Sequence, residues 1–442
     1  MFAAQPPLTS PRIARLAAAV EAGEHDAPEA FWKEVAEAGS PLMEPSGDDD
    51  SRTLVTFLWR GTETAEGAGA AEGAGTAGAA EPTENALVLF CSAPSGDFGE
   101  YRLERLPGTD VWYRSYLLPS ELRTTYLLSV NDPMVPFTSY AEVLARLPEY
   151  RTDPLNPRDY TLMGNPAQFK VSVLELPGAP RQPWNIARRG VARGATRMHT
   201  ATSSILGTRQ HVTVYTPPGY TDTGDDYDVF LLFDGWSYYN FAGITTVLDN
   251  LLHTGRIPPY VLVMHTNEDQ EIRARELPCH EPFSDYLNQE LMPWVHENYH
   301  ITRDGSRTVV GGSCFGGLGA SYAAFKSPER FGNVISQSGS YWWPGKGDQE
   351  REEEWLTEQF RNAPRLPIRF SMDIGSLERA IVDYDPMTTH QNMHLVLREK
   401  GYEVDYDEYT GGHDMICWRG TIVDRLLSFH PRQKDAKAPR KK

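Results

Sequence analysis

The sequence predicts an α/β protein: a doubly wound, mostly parallel sheet preceded by a small N-terminal β-sandwich. Three observations carry this. From His211 onward, short apolar runs alternate with segments of helical spacing, the pattern of strand–helix–strand units. Within that region a strand runs through the glycine cluster Gly311-Gly312-Ser313-Cys314-Phe315-Gly316-Gly317 directly into a helix. Ahead of it, residues 53–130 hold short strands divided by turn signals such as Pro107-Gly108 and Asn131-Asp132-Pro133, a spacing that suits a sandwich.

Composition sets the outer limits. A chain of 442 residues has room for two or three domains at about 100–200 residues each. Its 42 Lys and Arg against 60 Asp and Glu give a net charge of −18. That argues against a nucleic-acid partner, which needs a basic stripe. No run of about twenty apolar residues exists to span a membrane. The apolar run Leu16–Val20 is too short for a secretory leader, so the cytoplasm is the expected compartment. Four cysteines, Cys91, Cys279, Cys314 and Cys417, with no Cys-x-x-Cys pair, suggest neither a disulfide framework nor a zinc site. No metal or organic cofactor is implied.

Along the chain, residues 1–27 read as an N-terminal extension and 28–185 as the sandwich. Its strands are expected at Thr53–Arg60, Ala86–Cys91, Tyr101–Leu106, Val111–Leu118 and Arg123–Val130. Residues 63–82, rich in Gly, Ala and Glu, read as a disordered insert that enlarges a hairpin between the first two. A Pro-rich crossing from Asp153 to Pro180 closes the domain. Residues 186–432 form the catalytic domain. Strands are expected there at His211–Thr216, Tyr227–Phe233, Tyr260–His265, Thr308–Gly311, Val334–Ser338, Ile368–Met372 and Val404–Tyr409. Helices are expected at Phe283–Asn298, Leu318–Lys326 and Trp418–Ser428. Residues 433–442 are a solvated basic tail.

The frame Gly312-x-Cys314-x-Gly316 is a nucleophile elbow of the α/β-hydrolase type, with cysteine at its apex. A strained strand-to-helix turn leaves no room for side chains beside the apex. The helix that follows aims its N-terminal N–H groups at the site, which favours a thiolate and later an oxyanion. Ser313 is one residue early for this frame. A base is expected at His413, in Gly411-Gly412-His413-Asp414 after the last strand. The acid that orients it should follow strand Ile368–Met372, where Asp373, Glu378 and Asp383 all qualify. The backbone N–H groups of Trp236, after Asp234-Gly235, and of Phe315 are the expected oxyanion donors.

These residues sit among longer blocks. They include Pro107-Gly108-Thr109-Asp110-Val111-Trp112, Asp153-Pro154-Leu155-Asn156-Pro157, Arg273-Ala274-Arg275-Glu276-Leu277-Pro278-Cys279, Ser336-Gln337-Ser338-Gly339-Ser340-Tyr341-Trp342-Trp343 and Cys417-Trp418-Arg419-Gly420. With them the chain resembles the enterochelin (enterobactin) esterases, α/β-hydrolases that cut the trilactone backbone of catecholate siderophores. The likeness runs from about Phe31 to Leu427. It implies a two-domain architecture in which the sandwich helps shape the substrate site, with His413 as base. It also implies Glu378, in Gly375-Ser376-Leu377-Glu378, as the acid ahead of Asp373. Arg273 would lie near the site and suit an anionic catecholate, against the plainer reading of an ion pair with Glu276. Trp342 would line an aryl pocket.

The departure is at the apex, where the family's serine is Cys314. A thiol attacks readily beside a histidine, and the intermediate becomes a thioester. The expected function is hydrolysis of ester or thioester bonds in a small siderophore-type substrate through Cys314, His413 and Glu378. The substrate would be a ferric catecholate siderophore or a carrier-protein-bound acyl chain. An acyltransferase or macrocyclising thioesterase is the first alternative, because thioesters favour amines as acceptors. A non-catalytic binder of ferric siderophores is the second. Cys279 and Cys417 could approach each other near the site, but two reduced, buried thiols is the simpler expectation.

Overall fold

A computed structural model describes residues 9–47, 49–62, 81–90, 98–137, 142, 145–163, 168–344, 352–379 and 384–430. The sequence reading at Cys91, in the insert up to residue 80, at Asp383 and in the basic tail lies outside the described residues.

The larger sheet has eight strands among the described residues. In spatial order they are Glu403–Tyr409, Arg369–Gly375, Asn333–Gln337, Thr308–Ser313, Asp228–Leu232, Tyr260–Asn267, Arg209–Thr216 and Ala195–Thr202. The first six run parallel, and Arg209–Thr216 runs against them, paired antiparallel to Tyr260–Asn267 on one side and to Ala195–Thr202 on the other. The strand that feeds the glycine turn is thus an inner strand, covered on both faces. Apolar side chains divide with period two. Val229 and Leu231 enter one core and Phe230 and Leu232 the other, as do Val261 and Val263 against Leu262 and Met264. The edge strand Ala195–Thr202 is exposed and has no counterpart in the sequence reading.

The N-terminal part is a sandwich of two antiparallel four-stranded sheets. One contains Leu42–Pro45, Arg52–Arg60, Val111–Pro119 and Glu104–Arg105. The other contains Ala86–Phe90, Arg123–Val130, Gln168–Glu175 and Asp159–Met163. Phe57 lies fully buried between them, edge-on to Phe90 at 5.5 Å and to Tyr126 at 4.8 Å. Here the structure corrects the sequence reading. Arg52–Arg60 and Ala86–Phe90 belong to different sheets, so the insert joins two layers and does not enlarge a hairpin. Apolar alternation marks a strand but says nothing about which sheet receives it. The Pro-rich crossing likewise contains two strands, Asp159–Met163 and Gln168–Glu175.

The described part of the stretch read as an extension, from residue 9, also folds. Helix Pro11–Glu21 starts at Ser10, whose hydroxyl caps the Arg12 and Ile13 amides. It packs Ile13 and Leu16 with Phe31, Trp32 and Val35 of helix Ala27–Ala38 onto Leu58 and Val111 of the sandwich.

The sandwich core does not end at the sandwich. Phe57, Tyr126 and Leu128 belong to one continuous apolar cluster with Ile416, Trp418 and Ile422 of helix Met415–Ser428, on one face of the larger sheet. No helix among the described residues is long and apolar enough to cross a membrane.

Candidate active site

Strand Thr308–Ser313 ends one residue before Cys314, and helix Phe315–Lys326 begins one residue after it. Cys314 takes φ 56° and ψ −123°, a conformation that L side chains rarely adopt. A Cβ at Gly312 would come within 2.7 Å of the Gly316 backbone, and one at Gly316 within 2.8 Å of an Asp234 oxygen. The glycine frame is therefore a steric requirement of this turn. Ser313 is buried with its side chain toward Tyr238, away from the apex.

Glu378, fully buried, places Oε2 2.7 Å from Nδ1 of His413. Its Oε1 accepts from Ser338 Oγ at 2.6 Å and from the Gly375 amide at 2.9 Å. Trp418 donates its indole N–H to Ser338 Oγ at 3.0 Å and stands edge-on to the His413 ring at 4.7 Å. The Gly411 carbonyl accepts from the Leu377 amide at 2.9 Å, which ties the acid's loop to the histidine's loop. With Nδ1 on Glu378, Nε2 of His413 is the nitrogen left to face the Cys314 thiol, with which it shares a hydrogen bond. Ser340 Oγ donates to Cys314 Sγ at 3.4 Å.

Burial pushes the Cys314 thiol up, but the His413 charge, its hydrogen bond and the Arg273 guanidinium outweigh burial. They bring the thiol down to about 6. Burial works against a charged His413, yet Glu378 and the thiolate hold its pKa well above the ordinary histidine value. Each charge thus favours the other, and these neighbours stabilise the thiolate–imidazolium form of the pair.

Arg273 lies beside this pair. Its guanidinium forks onto Asp234, with Nε–Oδ1 at 2.5 Å and Nη2–Oδ2 at 2.8 Å, and it lies over the Phe315 ring. Burial opposes its charge, but Asp234 and the thiolate more than compensate, so it stays charged. Glu276, the ion-pair partner considered from the sequence, is buried and instead meets Thr208, Asn267 and Arg275.

Other expected residues fall differently. Asp373 sits inside strand Arg369–Gly375, fully buried, with Arg425 Nε at 3.7 Å. Burial raises its carboxyl to about 7, and Glu378 occupies the place at His413. The Trp236 N–H departs from expectation: it already donates to Thr266 Oγ1 at 2.9 Å. The Phe315 amide is at the first helical position, where an N–H has no intrahelical acceptor. Trp342 stacks on Tyr384 at 3.9 Å and leans on Phe315 at 5.8 Å. It lines a cavity of about 200 Å³ with Tyr384, Asp385, Glu353 and Glu354. Trp343 turns the other way, into the core beside Trp355. Cys279 and Cys417 are buried, form no disulfide with each other and belong to different core clusters.

Ser338, Ser340, Asp234, Trp418 and Thr266 took no role in the sequence reading. The first four lie within blocks quoted there, but as side chains without assigned partners. Their contacts come from strands far apart in sequence.

Comparison with known proteins finds esterases over both domains. A family described as putative esterase matches residues 203–429, and one described as enterochelin esterase, N-terminal, matches residues 54–185. The iron(III) enterobactin esterase of Dickeya dadantii (strain 3937) is 31% identical over 450 residues, covering 96% of each chain. The ferric enterobactin esterase structure from Salmonella typhimurium superposes with TM-score 0.71 at 27% identity, over 91% of this chain and 98% of that one. The enterobactin esterase of Shigella flexneri, solved in the presence of 2,3-dihydroxy-N-benzoyl-serine, gives 0.69 at 28%, over 91% and 98%. With two matched sheet domains and a hydrolase elbow in its expected place, the chain belongs to the enterochelin (enterobactin) esterase family.

Proposed function

We propose that the protein hydrolyses the ester bonds of a catecholate siderophore lactone through a covalent thioester on Cys314. One observation carries the reading. Buried Glu378 and the half-buried His413 it holds meet the Cys314 thiol at the N-terminus of helix Phe315–Lys326, with the Arg273 cation alongside.

The Cys314 thiolate adds to the lactone carbonyl carbon. Negative charge moves to the carbonyl oxygen, where the Phe315 amide and Arg273 meet it. The tetrahedral adduct collapses as His413 Nε2–H gives its proton to the departing serine-side oxygen, leaving an acyl-thioester and neutral His413. That histidine then takes a proton from water as the oxygen attacks the thioester carbonyl. Collapse returns the thiolate, the imidazolium and a free carboxylic acid. Glu378 stays ionised throughout and fixes the ring. Arg273 also suits an anionic catecholate, and Trp342 offers an aryl face beside Phe315. The relatives' named substrate, enterobactin, and the dihydroxybenzoyl-serine present with one of them support this substrate class.

The test is intact-protein mass spectrometry during turnover of a catecholate trilactone, with and without an amine acceptor, for wild type and Cys314→Ala. A transient acyl adduct on the wild type, with free acid released, supports hydrolysis. Release as the amide would turn the reading to acyl transfer, which the thioester's preference for amines would allow. Absence of both adduct and product would overturn it.

A further inference from the structure

Asp414 follows the base directly and is the N-cap residue of helix Met415–Ser428. An N-cap aspartate ordinarily accepts from the amides of its own first turn. This one makes no such bond. Its carboxylate reaches into the N-terminal sandwich. Oδ2 accepts from Thr124 Oγ1 at 2.9 Å and from the Thr125 amide at 3.1 Å, and Oδ1 accepts from Thr125 Oγ1 at 2.5 Å. All three residues are buried.

A backbone bridge and a thiol–carbonyl contact reinforce the junction on either side of His413. Arg123 and Gly411 form a parallel β-bridge, and the Arg123 carbonyl accepts from Cys417 Sγ at 3.2 Å. Arg123 is itself anchored in the sandwich, donating to the Pro180 carbonyl at 2.7 Å. The residue before the His413 turn, the residue after it and the first turn of the helix beyond are therefore all held by one strand, Arg123–Val130, of the other domain.

We propose that Thr124 and Thr125 are positioning residues for the reaction, fixing the His413 ring against Cys314 through Asp414. The sandwich is then part of the catalytic apparatus, beyond any role in shaping the substrate site. The inference rests on His413 acting with Cys314, as in the reading above, but its test does not need the substrate to be right. A His413 loop released from the clamp keeps its bond to Glu378 and loses its registration on the thiol. Misplacement on the scale of 1 Å costs roughly 10²-fold in rate.

The experiment uses the full-length chain with Thr124→Val and Thr125→Val together, and Thr124→Ser with Thr125→Ser as the conservative pair. Three quantities are read alongside thermal unfolding: kcat and KM on the lactone, and the pH midpoint of Cys314 alkylation by iodoacetamide. We expect the valine pair to lower kcat roughly 10–100-fold at nearly constant KM. We also expect its alkylation midpoint to move to higher pH, with the serine pair restoring both. An unchanged kcat and midpoint in a valine pair that is merely less stable would overturn the proposal. So would a serine pair as impaired as the valine pair. If the protein has no activity on the lactone, the siderophore reading fails, while the alkylation midpoint still decides whether the clamp sets the His413–Cys314 pairing.

Discussion

Oε2 of Glu378 lies 2.7 Å from Nδ1 of His413, and the same carboxylate is held on its other oxygen by Ser338 and the Gly375 amide. The acid is fixed from both sides before it fixes the histidine. A carboxylate so held keeps the ring in one orientation with Nε2 toward Cys314.

Glu378→Gln keeps the shape but offers an amide where the ring needs an anion. The imidazolium loses its counter-charge and the favoured tautomer is lost. Steady-state kinetics should show kcat lower by roughly 10²–10⁴-fold with KM little changed. Asp373→Asn, which touches Arg425 and not His413, should leave kcat within a few-fold.

The pH dependence of Cys314 follows from its neighbours. Burial alone would raise the thiol, and the His413 and Arg273 cations lower it to about 6. The thiolate is then present above pH 6 and lost as pH falls through that value. Alkylation rate against pH should rise with a midpoint near 6. In His413→Ala the largest lowering influence is gone, burial remains, and the midpoint should move to markedly higher pH. A midpoint unchanged by this substitution would contradict the ion pair.

Trp342 stacks on Tyr384 and leans on Phe315 without touching the relay. Trp342→Ala should raise KM for a catecholate ester by roughly 2–10-fold, as the loss of one aromatic contact worth about 0.5–1.5 kcal/mol would. Hydrolysis of a small acetyl ester should be nearly unaffected. Equal losses on both substrates would remove Trp342 from substrate binding.

Phe57 is fully buried between the two sandwich sheets. Phe57→Ala should destabilise the protein by about 3–5 kcal/mol, read by urea unfolding. Because its neighbour Tyr126 is on the strand that holds Asp414, kcat should fall as well in the folded variant.

The elbow and the histidine loop were legible because their chemistry is local. A glycine frame around Cys314 between a strand and a helix needs no knowledge of distant residues, and Gly411–His413 follows the last strand of the same pattern. Choosing Glu378 over Asp373 needed the family likeness, and the structure brings Glu378 to the ring because it stands on the loop while Asp373 is sealed inside the strand.

By itself the sequence determined the inner strands of the larger sheet, the helix that follows the apex, and the apex residue itself. Period-two and period-3.6 apolarity and steric demand at a turn act over a few residues. Tertiary structure alone decided that Ala86–Phe90 joins the opposite sheet, that Trp236 gives its amide to Thr266, that Arg273 pairs with Asp234, and that Asp414 leaves its own helix for Thr124 and Thr125. Each of these is a choice among hydrogen-bond partners of similar strength. Which partner wins depends on what the packed fold brings within 3 Å, and sequence spacing carries no record of that distance.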